Sequence, residues 1–264
     1  MQSSPNVDRS DYQGHQALLE AHLRALKLPM FLEHYQAYAK DAARIGLSCE
    51  RFLLALCEAE SGHRDAKKVE YAISTAKFPF IKELSSYDFN VVENIPKTRI
   101  LELAQGGYMA RAENILLLGN PGLGKTHLAL GLALAARRQA KRVRFYKAAA
   151  LINDLQLAQR KLTLSSFTAK FVKLDLLVLD ELGFLTVDQE GAQLLFQLVS
   201  DLYERVSIIV TSNLRFGEWT SIFGNDKMTL AFIDRLTHKG QVLEFVGDSY
   251  RYRHRLQQDD AAGA

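Results

Sequence analysis

One stretch of eight residues limits the folds open to this chain more than any other. Gly119-Asn120-Pro121-Gly122-Leu123-Gly124-Lys125-Thr126 has the form G-x-x-x-x-G-K-[ST]. The apolar run 115–118 before it reads as a buried strand, and 126–139 after it reads as a helix. Glycines let the backbone turn tightly enough to aim several N–H groups at one anion, and the helix N-terminus adds the positive end of its dipole. In such a strand, turn and helix, Lys125 is placed for the β- and γ-phosphates of a nucleotide and Thr126 for a Mg²⁺ ion.

The chain has 264 residues, enough for one large domain or a medium one with a small companion, and its 48% hydrophobic content supplies a core. Residues 1–13 are polar and mixed in charge, and no later window offers 18 uncharged apolar residues. A protein that stays in the cytosol is expected. Cys49 and Cys57, eight positions apart on an expected helix, lie about 12 Å from each other by helical rise, which excludes a bridge between them. Both read as small core residues.

The net charge of +3 is modest, but between 137 and 173 ten basic residues face one acid, Asp154. Such a local excess beside a nucleotide site points to a second polyanion, and nucleic acid is the natural one because phosphate contacts dominate its binding.

Apolar residues at three- and four-residue steps, Leu18, Leu19, Leu23 and Leu26, then Phe31, Leu32 and Tyr35 after Pro29, predict two amphipathic helices. A third is expected from Ser48 through Phe52, Leu53, Leu56 and Cys57, with a charged continuation from Arg64 that carries Val69 and Ile73. From residue 113 onward short apolar runs alternate with helical segments: 115–118, 143–146, 176–179, 208–210 and 242–246. That alternation predicts an α/β fold of three layers with a mainly parallel sheet.

The run 173–181 is an apolar strand ending in Asp180 and Glu181, and in a parallel sheet its carboxyl end opens on the same crevice as the phosphate loop. Asp180 is placed to bind Mg²⁺, and Glu181 to orient and deprotonate an attacking water. A small-molecule or nucleoside kinase with the same loop has no need of that adjacent base, whereas a hydrolase does. The next apolar run ends in Thr211-Ser212-Asn213, and the neutral amide of Asn213 can touch both a γ-phosphate and the lytic water. Positive charge from a neighbouring subunit would complete the site, with Arg235 and Arg205 as competing positions.

The loop 119–126 with His127-Leu128-Ala129, then Leu179-Asp180-Glu181-Leu182-Gly183 and Thr211-Ser212-Asn213-Leu214, resembles the AAA+ ATPases of the initiator and helicase-loader group. Within that group the chain is similar to the IstB-type transposition helper ATPases of bacterial insertion sequences. Ala76-Lys77-Phe78-Pro79, Tyr87-Asp88-Phe89, Phe216-Gly217-Glu218-Trp219 and Asp248-Ser249-Tyr250-Arg251 add to the likeness, which covers most of 15–255.

The resemblance implies a bacterial cytoplasmic ATPase that assembles with ATP and Mg²⁺ as a homo-oligomer on double-stranded target DNA, distorts it, and recruits or stimulates a transposase. It supports Lys125, Thr126, Asp180, Glu181 and Asn213 in the roles above and aligns Arg235 with the finger position. In this group the segment after the second strand faces a central channel, which here would bring Lys147, Arg160, Lys161 and Lys170 to DNA. The expected organisation is a flexible 1–14, a helical domain 15–76, an AAA+ domain 77–250 and a tail 251–264. Eighteen residues after Val246 are too few for the usual helical lid, which leaves Arg251, Arg253 or Arg255 as candidates for its second sensor arginine. A replicative helicase loader acting on single-stranded DNA is the alternative.

Overall fold

The computed structural model describes residues 9–89, 94–184 and 187–247, apart from the side chains of 9–13, Val69 and Ala72. Arg251, Arg253 and Arg255, with the stretch 248–251, lie outside the described residues. The chain divides between Glu70 and Tyr71 into two compact units.

The first unit is helical: α1 (Arg9–Ala25), α2 (Pro29–Ile45) and most of α3 (Cys49–Thr75). Pro29 opens α2, where its missing N–H costs nothing, and Gly46 closes that helix in the left-handed conformation. The corner between α1 and α2 is tied to α3 by one buried acid: Glu60 accepts from Met30 N at 2.9 Å and from Arg64 Nε at 2.8 Å, while Arg64 also donates to Lys27 O at 2.9 Å. Burial pushes the Glu60 carboxyl up, but Arg64 and the Met30 amide more than offset it and hold it below its ordinary range.

The charged continuation from Arg64 is one helix with the segment before it, as expected, but two other sequence expectations change here. Leu23 and Leu56 are buried as expected, but Leu18, Leu19, Leu26 and Leu53 are exposed. Cys49 and Cys57 are also exposed and are not core residues; three helices alone offer too little interior to cover every apolar stripe residue.

The second unit holds the end of α3, then a 3₁₀ turn at Leu84–Ser86, α4 (Lys97–Ala104) and α5 (Gly107–Ala110). Strand β1 (Asn114–Gly119) leads through the phosphate loop to α6 (Lys125–Arg138) and β2 (Val143–Lys147). Then come α7 (Ala148–Arg160), α8 (Leu164–Thr168), β3 (Leu176–Leu182), α9 (Gln189–Leu202), β4 (Ser207–Ser212), α10 (Thr220–Phe223), α11 (Asp226–Thr237) and β5 (Gly240–Phe245). Asp188 caps α9 by accepting from Gly191 N, and Asn225 caps α11 by accepting from Met228 N.

The five strands pair in parallel in the order β2-β3-β4-β1-β5. Alternate residues of each strand enter two separate cores, so Ile115 and Leu117 pack with α4 to α6 while Leu116 and Leu118 pack with α7, α9 and α11. The sheet is therefore covered on both faces, and the strand order sets the carboxyl ends of β1, β4 and β3 side by side.

Candidate nucleotide site and its neighbourhood

The loop Gly119–Thr126 fills the gap between β1 and α6, and two of its glycines are there because nothing larger fits. A Cβ at Gly119 (φ +135°) would stand 2.2 Å from Phe245 O at the end of β5, and one at Gly124 (φ +83°) 2.9 Å from the Tyr87 ring. Tyr87 braces the loop, with its hydroxyl donating to Leu123 O at 3.4 Å and its ring edge-on to His127. Burial, and then the charge of Asp88, push the Tyr87 phenol up to about 12, which keeps it a neutral donor.

Lys125 is buried, and its ammonium donates to Gly119 O at 2.6 Å and Asn120 O at 2.7 Å. A cation folded onto two main-chain carbonyls at the mouth of a loop rich in N–H groups suits phosphate oxygens, which are stronger acceptors for the same donors.

Asp180 is 1% exposed, and its Oδ1 accepts from Thr126 Oγ1 at 2.8 Å and from Thr211 Oγ1 at 2.6 Å. Burial pushes its carboxyl above the ordinary range; the two hydroxyls pull it partly back, the Glu181 charge adds to the push and Lys147 opposes it. No hydrogen bond among the described residues engages Oδ2. A buried carboxylate with one free oxygen, beside the threonine hydroxyl that follows Lys125, fits a hard divalent cation such as Mg²⁺.

Glu181 follows in a left-handed conformation, φ +60°, at a β-bulge where the register between β3 and β4 slips by one residue. Thr211 faces both acids across that bulge, because its Oγ1 also accepts from Glu181 N at 2.9 Å. Ser212 is spent on the backbone, donating to Leu182 O at 2.6 Å and accepting from Leu214 N at 3.1 Å. Asn213, just beyond β4, keeps its amide free of hydrogen bonds among the described residues and is half-buried.

Thr211 is the residue that sequence reasoning missed. Its hydroxyl fixes the Asp180 carboxylate and the Glu181 backbone together. We expect Thr211→Val to cost about 1–3 kcal/mol, because a part-buried amide and a buried carboxylate each lose a partner. A lower denaturation midpoint checks this, and Thr211→Ser should restore it; an unchanged midpoint in the valine variant would mean that the hydroxyl carries nothing.

Lys147 ends β2, in register with Asp180, and its Nζ lies 2.9 Å from Glu181 Oε2. The hydrogen bond and charge of Glu181 hold the Lys147 ammonium above its ordinary value. At 54% and 43% side-chain exposure, such a pair contributes between zero and about 1 kcal/mol, too little to lock either side chain. The structure does not group Lys147 with Arg160 and Lys161: the 13 residues of α7 put about 20 Å of helix between them. Arg160, Lys161 and Lys170 are all exposed.

Arg235 lies at the other end of the sheet. Its carbonyl accepts from Asn114 Nδ2, the first residue of β1, at 3.4 Å, and its guanidinium sits over the Phe196 ring at 4.7 Å and donates to Ala231 O. Strand β1, roughly 17 Å long at its ordinary rise, separates it from the phosphate loop, farther than one arginine side chain spans. Arg205 is exposed and sits just before the start of β4, at the same end.

The model of the IstB-like ATP binding protein family matches residues 21–258. An insertion-sequence ATP-binding protein of Sinorhizobium fredii is 39% identical over 243 residues, 92% of this chain and 82% of that protein. The insertion sequence IS5376 ATP-binding protein of Geobacillus stearothermophilus is 36% identical over 89% of this chain and 94% of its own length. Among solved structures, the DnaC helicase loader superposes with a TM-score of 0.52 at 20% identity, over 62% of this chain and 96% of that one. The replication initiator DnaA, bound to AMPPCP and single-stranded DNA, gives 0.53 at 21% identity, over 67% and 54% of the two chains. The fold is thus that of the AAA+ P-loop proteins, and with the family match spanning most of its length the chain belongs to the IstB-like ATP-binding proteins of bacterial insertion sequences.

Proposed function

We propose that this protein is an ATP hydrolase that assembles on double-stranded DNA when ATP is bound, remodels that DNA and recruits or stimulates the transposase of its own element. The observation that carries the reading is the convergence of Lys125, Thr126, Asp180, Glu181 and Asn213 on one crevice at the carboxyl ends of β1, β3 and β4, in a chain of this family. Lys125 and the loop amides bind the β- and γ-phosphates, and Thr126 and Asp180 hold Mg²⁺. When bound, the metal supplies positive charge against the phosphate oxygens. Glu181 takes a proton from water as its oxygen attacks the γ-phosphorus and the bond to ADP breaks. Asn213 orients that water.

Arg235 of a neighbouring copy completes the site, since neither Arg235 nor Arg205, both at the amino end of the sheet, reaches its own loop. Arg235→Ala alone should bind ATP and fail to hydrolyse it in the assembly. Mixing it with Lys125→Ala subunits, which lack a working loop but carry Arg235, should recover activity. Full activity of Arg235→Ala together with an inactive Arg205→Ala would move the role to Arg205.

For DNA we assign phosphate contacts to Arg160, Lys161 and Lys170, and to Lys147 only when it gives up Glu181. The direct test is binding to labelled duplex and single-stranded DNA with ATP, with ADP and without nucleotide, at two salt concentrations. Three phosphate contacts predict roughly a 40-fold loss of affinity for a fourfold rise in salt. Salt-insensitive binding would refute these contacts, and a preference for single strands would move the assignment to a helicase loader.

A further inference from the structure

Leu162 breaks two local rules at once. It closes α7 in the left-handed conformation, φ +54°, with Leu162 N donating to Gln159 O at 3.0 Å and Thr163 N donating to Ala158 O at 2.8 Å. Glycine ordinarily takes that position, because a Cβ is strained there. The Leu162 side chain is also 95% exposed. Among the described residues, the other non-glycine positions with positive φ are Lys27, Lys77, Ala112, Ala140, Glu181 and Glu204, none of which bears a large apolar side chain. Strain at one residue whose side chain finds no burial among the described residues to offset it points to an external partner.

The surroundings say which partner. Arg160 and Lys161 precede Leu162, Lys170 and Lys173 follow it, all four are exposed, and no acid occurs between Asp154 and Asp175. Arg160, Lys161 and Lys173 form no ion pair among the described residues. Ser165 adds a hydroxyl donor close by, whereas Thr163, Ser166 and Thr168 donate theirs to Ala158 O, Thr163 O and Ser165 O.

The tip stands on a firm base. Leu155 and Phe171 are buried, the Phe171 ring packs on Phe167 and Tyr146, and Gln156 donates to both carboxylate oxygens of Asp188, the cap of α9. A protein interface core is depleted in charge. Leu162 is the most exposed apolar residue of a segment that also exposes Leu157 and Val172 and whose charged residues are all basic, the composition of a wedge that enters stacked base pairs.

We propose that Leu162 is such a wedge. Its side chain enters a base-pair step of the bound duplex from the minor groove, Arg160 and Lys161 hold the flanking phosphates, and the opened step kinks the DNA. Steps that unstack easily, TA and CA/TG, would be favoured. The proposal rests on the duplex-binding reading above and adds to it the residue that does the bending.

The test uses the full chain with a non-hydrolysable ATP analogue and a duplex rich in TA steps, labelled at its two ends for energy transfer. Binding is read first, by anisotropy, and bending second. The wild-type protein and Leu162→Met should bind and draw the ends together. Leu162→Ser and Leu162→Gly should bind with the wild-type salt dependence, since the phosphate contacts are untouched, yet leave the ends apart. Leu162→Gly should also raise the melting temperature by roughly 2–4 °C, because it relieves the left-handed strain.

Wild-type bending by Leu162→Ser would overturn the proposal. So would loss of the ATP-driven oligomer by that variant without DNA, which would make Leu162 a subunit contact. If the wild-type protein binds no duplex at all, the anisotropy arm alone shows that the underlying reading has failed.

Discussion

Glu181→Gln should bind ATP as tightly as the wild-type protein and hydrolyse it about 10²–10⁴-fold more slowly, the usual contribution of a positioned general base. Glutamine keeps the length and shape of the side chain and the left-handed backbone, and its N–H still donates to Thr211 Oγ1. The ion pair to Lys147 is lost, but that exposed pair contributes at most about 1 kcal/mol, so the fold should not register the change. What disappears is a group able to accept a proton. Single-turnover phosphate release, paired with nucleotide titration, separates the two effects. On the proposed function the variant should stay on DNA in its ATP-bound form. A wild-type rate would remove Glu181 from the role of base and shift attention to water activated by other means.

Lys125→Ala should abolish useful nucleotide binding. The ammonium makes two short bonds to Gly119 O and Asn120 O, and phosphate oxygens would take over those donors. Two charge-assisted hydrogen bonds at about 1.5–3 kcal/mol each correspond to a loss of at least roughly 10²-fold in affinity. The carbonyls left behind lie beside Asn120 and Pro121, both exposed, so water can satisfy them and the protein should still fold. The clean readout is thermal: ATP with Mg²⁺ should raise the melting temperature of the wild-type protein by linkage and leave that of the variant unmoved. A shift of equal size in both would place the nucleotide elsewhere.

How much of this was legible in advance depended on how far apart in the chain the cooperating atoms lie. The phosphate loop was readable because its parts are contiguous: a strand, a turn that demands glycine and a helix start. Asp180, Glu181 and Asn213 were readable because each ends an apolar run, and parallel strands put such ends on one edge. The pairing of Lys147 with Glu181 depended on the β2–β3 register, which periodicity does not fix when the paired run of β3, 176–179, is apolar throughout.

Thr211 was hidden for a similar reason, since its role arises from one extra residue in β3 that only the β4 ladder reveals. In the helical unit the stripes of Leu18, Leu19, Leu26 and Leu53 marked the helices correctly but not the core, because amphipathic spacing reports a face and not whether anything covers it. Leu162 carried no sequence signal at all, as a leucine after two bases looks ordinary until its backbone angle and exposure are known.

The slipped register beside Thr211 also resolves a problem of parity. Neighbouring residues on a regular strand project to opposite faces, so two adjacent carboxylates could not both serve a ligand lying at one spot. By turning the backbone left-handed at the second of them, the chain steps out of that alternation and brings a buried and an exposed acid to the same rim, where the proposed function needs a metal ligand and a proton acceptor. The distance between their tasks is one peptide bond. Shortening β3 by a single residue there would thus be more damaging than replacing either acid, because it would leave both side chains present and send one of them to the wrong side of the sheet.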